Sequence, residues 1–152
     1  MGVRISHGDY RAGCGGGWID SPAGAYMEGP NLTGKATFGF VSKYQKGASI
    51  PTGNTEFQFL AGGFNFHSTD YEWLVVNQNG ANAQFKGSGT VIGELDPNGN
   101  AYRFQMWAGD GSPDTFRIRI WWEGPDAVEH DVYDNGISQP IGGGSIVVHT
   151  GK

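Results

Sequence analysis

"YRFQMWAGDGSPDTFRIRIWW", residues 102–122, is two alternating runs around a six-residue breaker. Successive side chains on a β-strand point to opposite faces, so parity sorts these residues. Tyr102, Phe104 and Met106 fall on one face with Phe116, Ile118, Ile120 and Trp122. Arg103, Gln105 and Trp107 fall on the other with Arg117, Arg119 and Trp121. The intervening "GDGSPD" (109–114) is rich in turn formers, so the two runs form an antiparallel hairpin. One register that keeps the parity sets Trp107 beside Arg117, Gln105 beside Arg119 and Arg103 beside Trp121.

The same pattern continues outward from this hairpin. "KATFGF" (35–40), "TEFQFL" (55–60) and "FNFHS" (64–68) alternate cleanly, and "EWLVV" (72–76) is apolar on both faces. "ANAQFKGSGTVIGEL" (81–95) alternates more weakly, and "AVEHDVYD" (127–134) and "SIVVH" (145–149) complete the set. Between them stand "PTGN", "NQNG", "DPNGN" and "EGPD". No window keeps a helical stripe without Gly or Pro in it. The pattern predicts an all-β, antiparallel domain of about nine or ten strands, folded as a closed barrel or a two-sheet sandwich. One domain spans residues 1–152, with 1–12 as a loosely ordered N-terminal arm. The expected core is Phe38, Phe40, Phe57, Phe59, Phe66, Trp73, Val75, Phe85, Phe104, Ile118, Ile120 and Ile146.

Glycine supplies 27 of the 152 residues, without a collagen-like period. "GCGGGWI" (13–19) and "IGGGSIVVH" (141–149) set the same Gly-Gly-Gly-x-Ile pattern at both ends of the chain. If the first and last strands pair, the sheet closes, and the glycines let the two backbones approach. Gly16 and Gly143 are the expected close-approach positions. The alternative is two separate flexible loops.

The net charge of −5 argues against a nucleic-acid partner, which needs a basic surface. No apolar run is long enough to span a membrane, and Met1–His7 lacks the apolar stretch of a signal peptide. The single cysteine, Cys14, permits no internal disulfide, and no His or acid lies close to it in sequence.

The outward face of the 102–121 hairpin is the candidate site. Two indoles beside guanidiniums form a polar-rimmed aromatic platform. Sugar rings stack on such surfaces while Arg, Gln and Asp bond their hydroxyls. Arg117 and Arg119 would favour an acidic polysaccharide if no internal carboxylate, such as Asp114 or Glu123, occupies them. The same face is also consistent with a solvated sheet surface on which Arg stems cover Trp, or with an interface under a loop or second subunit.

Other constellations are weaker. "DPNGN" has the 1, 3, 5 spacing of an EF-hand loop, but Ala101 and Trp107 stand where that loop needs Gly and Glu, so an Asx-rich turn is expected. Asp110, Asp114, Asp126, Glu129, Asp131 and Asp134 read as solvated loop acids rather than Ca²⁺ ligands. His7, His67, His130 and His149 lack zinc spacing, and "DSPAG" (20–24) lacks a nucleophile elbow. Glu56, Asp70, Glu72 and Glu94 could supply paired carboxylates, at a separation the sequence does not give.

"GGGWIDSPAGAY", "LTGKATFGFVSKYQKGASIPTGNTEFQF", "NFHSTDYEWLVV" and "IGGGSIVVH" together resemble a bacterial domain that follows anchor, Ig-like or PKD-like repeats in secreted and cell-surface proteins. It is labelled the post-choice-of-anchor-protein domain. The resemblance runs from about Gly15 to His149 and is weakest over 96–140. It implies an extracellular or cell-surface accessory module and no catalytic residues.

The leading expectation is a non-catalytic binding module for a carbohydrate, with no cofactor and no membrane insertion. Its site residues are Trp107, Trp121, Arg103, Gln105, Arg117 and Arg119. A small β-barrel enzyme of lyase or isomerase type, with its site in the barrel mouth, is the alternative. An assembly module with protein partners only, including a homo-oligomer, is the third reading.

Overall fold

A computed structural model describes residues 12–44, 49–77 and 81–149. Residues 1–11 of the expected arm (1–12), His7 among them, lie outside the described residues, and Ala12 begins the first strand. The strands are β1 (Ala12–Ser21), β2 (Gly34–Lys43), β3 (Thr52–Phe59), β4 (Phe64–Val76), β5 (Asn82–Val91), β6 (Tyr102–Gly109), β7 (Thr115–Glu123), β8 (Glu129–Asp134), β9 (Gln139–Pro140) and β10 (Gly143–His149). One 3-10 turn, Leu60–Gly62, is the only helical element among the described residues. The alternation and the absence of a helical stripe account for this all-β, antiparallel result.

The strands form a single sheet in the order β10-β1-β2-β3-β4-β5-β6-β7-β8, with β9 beside β7. The sheet curls strongly. Phe38 on β2 stacks on Phe116 of β7 with ring centroids 4.0 Å apart, and Phe57 on β3 meets Tyr133 of β8 at 4.6 Å. Rings on strands several places apart can meet this way only across the concave side.

That side is the core, and it holds all nine phenylalanines. None of the five tryptophans belongs to it. Of the twelve expected core residues, Trp73 and Val75 are the exceptions. β4 carries two bulges, between Ser68 and Asp70 and between Tyr71 and Trp73, and each reverses the parity. Tyr71 points inward; Glu72 is the extra residue; Leu74 and Val76 then point inward and Val75 outward. Trp122, expected on the inner face, lies half-exposed one residue before the end of β7 and stacks on the exposed His130.

β1 does pair with β10, with Gly17 opposite Gly144 and Gly15 opposite Ile146. This pairing does not close the sheet, because among the described residues β10 forms no ladder with β8, and each has a strand neighbour on one side only. β10 and β8 become the ends of a curled half-barrel, in place of the expected closed barrel or two-sheet sandwich. Both ends are capped by other means. On β10 the N–H groups of Ile146 and Val148 donate to the carboxylates of Asp114 and Asp110, at 2.8 and 2.9 Å. Along β8, the Met27 N–H donates to the Val132 carbonyl and the Asp134 N–H to the Ala25 carbonyl. The segment between β1 and β2 thereby lies against β8 and packs Tyr26 on Phe59 and Phe64.

Candidate functional site

The convex face of β4–β8 carries the six residues singled out from the sequence. β6 and β7 pair in the expected register, Arg103 with Trp121, Gln105 with Arg119, and Trp107 with Arg117. The neighbouring strands extend these pairs into rows. One row is Val75, Gln84, Trp107 and Arg117. The next is Trp73, Lys86, Gln105, Arg119 and Asp134. The third is Asp70, Ser88, Arg103, Trp121 and Asp131.

The two indoles differ. Trp107 is half-buried, with the Arg117 guanidinium 4.3 Å from its ring centre. Trp121 was expected to be exposed and is only 2% exposed. Arg119 lies over it at 4.3 Å and Lys86 at 5.6 Å. Its indole N–H is buried without a hydrogen-bond partner among the described residues. Long cationic side chains cover apolar rings with their stems, and here two cations lie over one indole. The surface is therefore not an open two-tryptophan platform.

Two of the three arginines are occupied from within. Arg117 holds Asp134 through a two-pronged pair at 3.1 and 3.0 Å. Arg119 donates to Asp131 and Glu129, each at 2.8 Å. Burial alone would lower the Arg119 pKa; the hydrogen bonds and charges of Glu129 and Asp131 outweigh burial and raise it. The partners are carboxylates of β8, not Asp114 or Glu123, because β8 is the next strand and sets acids opposite the arginines. This occupancy removes the basis for a preference for acidic sugars.

Arg103 is held differently. Its guanidinium sits 3.8 Å from Glu72 and 3.6 Å from Glu123 and makes no hydrogen bond among the described residues. Gln105 donates to the side-chain oxygen of Gln84.

Each end of this face has a groove. At one end Trp107 forms a wall with Val75, Asn77, Asn82, Gln84 and Ser138, enclosing about 380 Å³. The loop that brings Ser138 is fixed by the buried Asn135, whose amide bonds Phe116, Ile118, Ile137 and Gln139. At the other end Arg103, Glu72, Ser88, Asp96, Asn100 and Glu123 line about 360 Å³. "DPNGN" builds the rim of this second groove. Asp96 accepts from the N–H groups of Asn98 and Asn100, and the Asn98 amide reaches the Glu123 carbonyl. It is thus an Asx turn. The other acids weighed as metal ligands are engaged as well, Asp126 by the Val128 N–H and the rest as described above. No group of three or more His, Cys, Asp or Glu is placed to hold a metal ion among the described residues. Nor is any helix there long and apolar enough to cross a membrane.

Comparison finds no match. Neither a family model, a curated protein nor a solved structure resembles the chain at a significant level.

Sequence reasoning missed Gln84, Asn82, Ser138 and Ser88, and weighed Glu72 only as half of a carboxylate pair, not as a neighbour of Arg103. Gln84 and Ser88 were accessible in principle, since Gln84, Lys86 and Ser88 share one parity on the strand paired with β6. The position of Glu72 beside Arg103 was not, because a bulge sets it. The assembled surface is a fixed aromatic wall beside amides at one end, and a loosely held guanidinium between carboxylates at the other.

Proposed function

We propose that this protein is a non-catalytic module that binds a neutral carbohydrate in the Trp107 groove. An extracellular or cell-surface setting as an accessory to other domains, as the family resemblance implies, belongs to the same reading. The observation that carries it is the half-buried Trp107, whose ring is braced by Arg117, itself clamped by Asp134, next to the amides of Gln84 and Asn82. A rigid indole offers apolar area to a sugar's C–H face, and the amides both donate and accept for hydroxyls. Bracing reduces the entropy lost on binding. The internal pairing of Arg117 and Arg119 leaves little net positive charge for a uronic acid, which favours a neutral ligand. Tyr26, packed over one end of the core, argues against a catalytic site in that mouth.

One indole removes a modest apolar area, at about 25 cal/mol per Å², so affinity should be roughly micromolar to millimolar. The test is a titration of neutral and uronic-acid oligosaccharides followed by tryptophan fluorescence. Neutral sugars should bind, acidic ones more weakly, and Trp107→Ala should abolish binding while the fold persists by circular dichroism. Binding that survives Trp107→Ala, or a clear preference for uronic acids, would overturn the proposal.

A further inference from the structure

Three arginines lie on the convex face, and they are held in two ways. Arg117 and Arg119 are locked by carboxylates at 2.7–3.1 Å. Arg103 has two carboxylates, Glu72 and Glu123, at 3.8 and 3.6 Å, outside hydrogen-bond distance. Its N–H groups and the facing carboxylate oxygens keep hydrogen-bonding capacity for something between them. All three side chains line the second groove, whose rim is the Asp96 turn tied to β7. Donors beside acceptors suit adjacent hydroxyls, each of which accepts from one group and donates to another. The groove also disfavours an anion, with Glu72, Glu123 and Asp96 against the single Arg103.

Arg103 and Trp107 lie on the same face of β6, four residues and about 14 Å apart along the strand. Between them runs a polar track of Gln105, Gln84 and Lys86. We infer that the Arg103 groove is a second sugar subsite, taking neighbouring hydroxyls of an uncharged ring. The ligand is then a neutral oligosaccharide chain lying along β6 from Trp107 to Arg103. This inference rests on the Trp107 reading and adds a ligand length and a direction to it. Two linked contacts raise affinity because the second forms within the same complex.

The probes are cello-, xylo-, malto- and manno-oligosaccharides of two to six rings, titrated calorimetrically against the full chain. In the series that binds, affinity should rise by about tenfold or more from the shortest to the longest member. Arg103→Ala and Glu72→Gln should each erase most of that rise, and Arg103→Lys should restore only part, since an ammonium lacks the planar fork. Circular dichroism and the denaturation midpoint check folding; Glu72→Gln, nearly isosteric and half-exposed, keeps the test open should the Arg103 variants fail to fold. Affinity independent of length, or a length-dependent rise that persists in both Arg103→Ala and Glu72→Gln, overturns the second subsite while Trp107-dependent binding stands. Absence of binding by any series, or binding indifferent to Trp107→Ala, overturns the underlying reading as well.

Discussion

At Gly17 the space for a side chain is already taken. A Cβ there would overlap the carbonyl oxygen of Gly143, and the residue opposite, Gly144, has φ +97 with its own missing Cβ directed at the Gly16 carbonyl. Gly16, singled out from the sequence, is more permissive: a Cβ there would find only the Phe38 carbonyl oxygen at 3.6 Å, an ordinary contact. Gly17→Ala should therefore cost about 2–3 kcal/mol of stability, and Gly16→Ala under about 1, measured by urea denaturation. Equal effects would show that the β1–β10 approach is not what these glycines serve. Two buried tyrosines give a second expectation. Burial raises the pKa of Tyr71 and of Tyr133 from 10.0 to about 12, despite the hydrogen bonding of the first with Thr55 and Ser68 and of the second with Ser21. The unfolded chain loses these protons near pH 10 while the folded chain keeps them, so the folded state binds more protons above pH 10. Stability is then fully present below that pH and falls as pH rises from about 10 to 12, by on the order of 2–3 kcal/mol per tyrosine. Urea midpoints across pH 8–12 should show the fall, and Tyr71→Phe should make it shallower.

Among the elements, β6 and β7 were the easiest to read and β4 the hardest. The β6–β7 hairpin alternates as far as Trp121, so parity assigned both faces that far, and the register formed is one that keeps it. β4 has apolar residues at 73, 74, 75 and 76, and parity there depends on where its bulges fall. A bulge is a backbone decision made by the partner strand, and apolar residues on both faces leave no trace of it in the pattern. Leu74→Ala should accordingly cost about 2–5 kcal/mol. Val75→Ala, on the convex face, should move the denaturation midpoint by no more than about 0.5 kcal/mol in stability. The reverse order would restore the simple alternation. Trp121 illustrates a related limit. Its face was legible, but its burial depends on Arg119 and on Lys86 from β5, a strand that parity on β7 does not report.

For the molecule as a whole, the question is how a nine-strand path ends without leaving edges open. β10 presents the N–H groups of Ile146 and Val148, which Asp114 and Asp110 occupy. Unpaired strand edges invite pairing with another chain. Asp110→Ala with Asp114→Ala should remove about 1.5–3 kcal/mol per hydrogen bond and increase self-association in sedimentation relative to the unaltered chain. The corresponding Asn pair retains an acceptor at each place and should stay close to the parent. Unchanged sedimentation and midpoint in the Ala pair would show that these carboxylates do not guard the edge.

The sequence by itself determined the strand class; it offered the β6–β7 register and, as one of two alternatives, the β1–β10 neighbourhood that the structure keeps, and ten of the twelve inner-face residues it named lie in the core. Those properties are local or pairwise: alternation assigns faces, turn residues fix hairpins, and paired glycines mark close backbones. Only the tertiary structure decided how far the sheet curls, which carboxylates neutralise Arg117 and Arg119, and why Arg103 is left loosely held. These depend on which strand ends up beside which edge and on single-residue bulges at Thr69, Glu72 and Val132. Each bulge shifts every later side chain to the other face, and a one-residue insertion leaves the alternating pattern on either side of it intact.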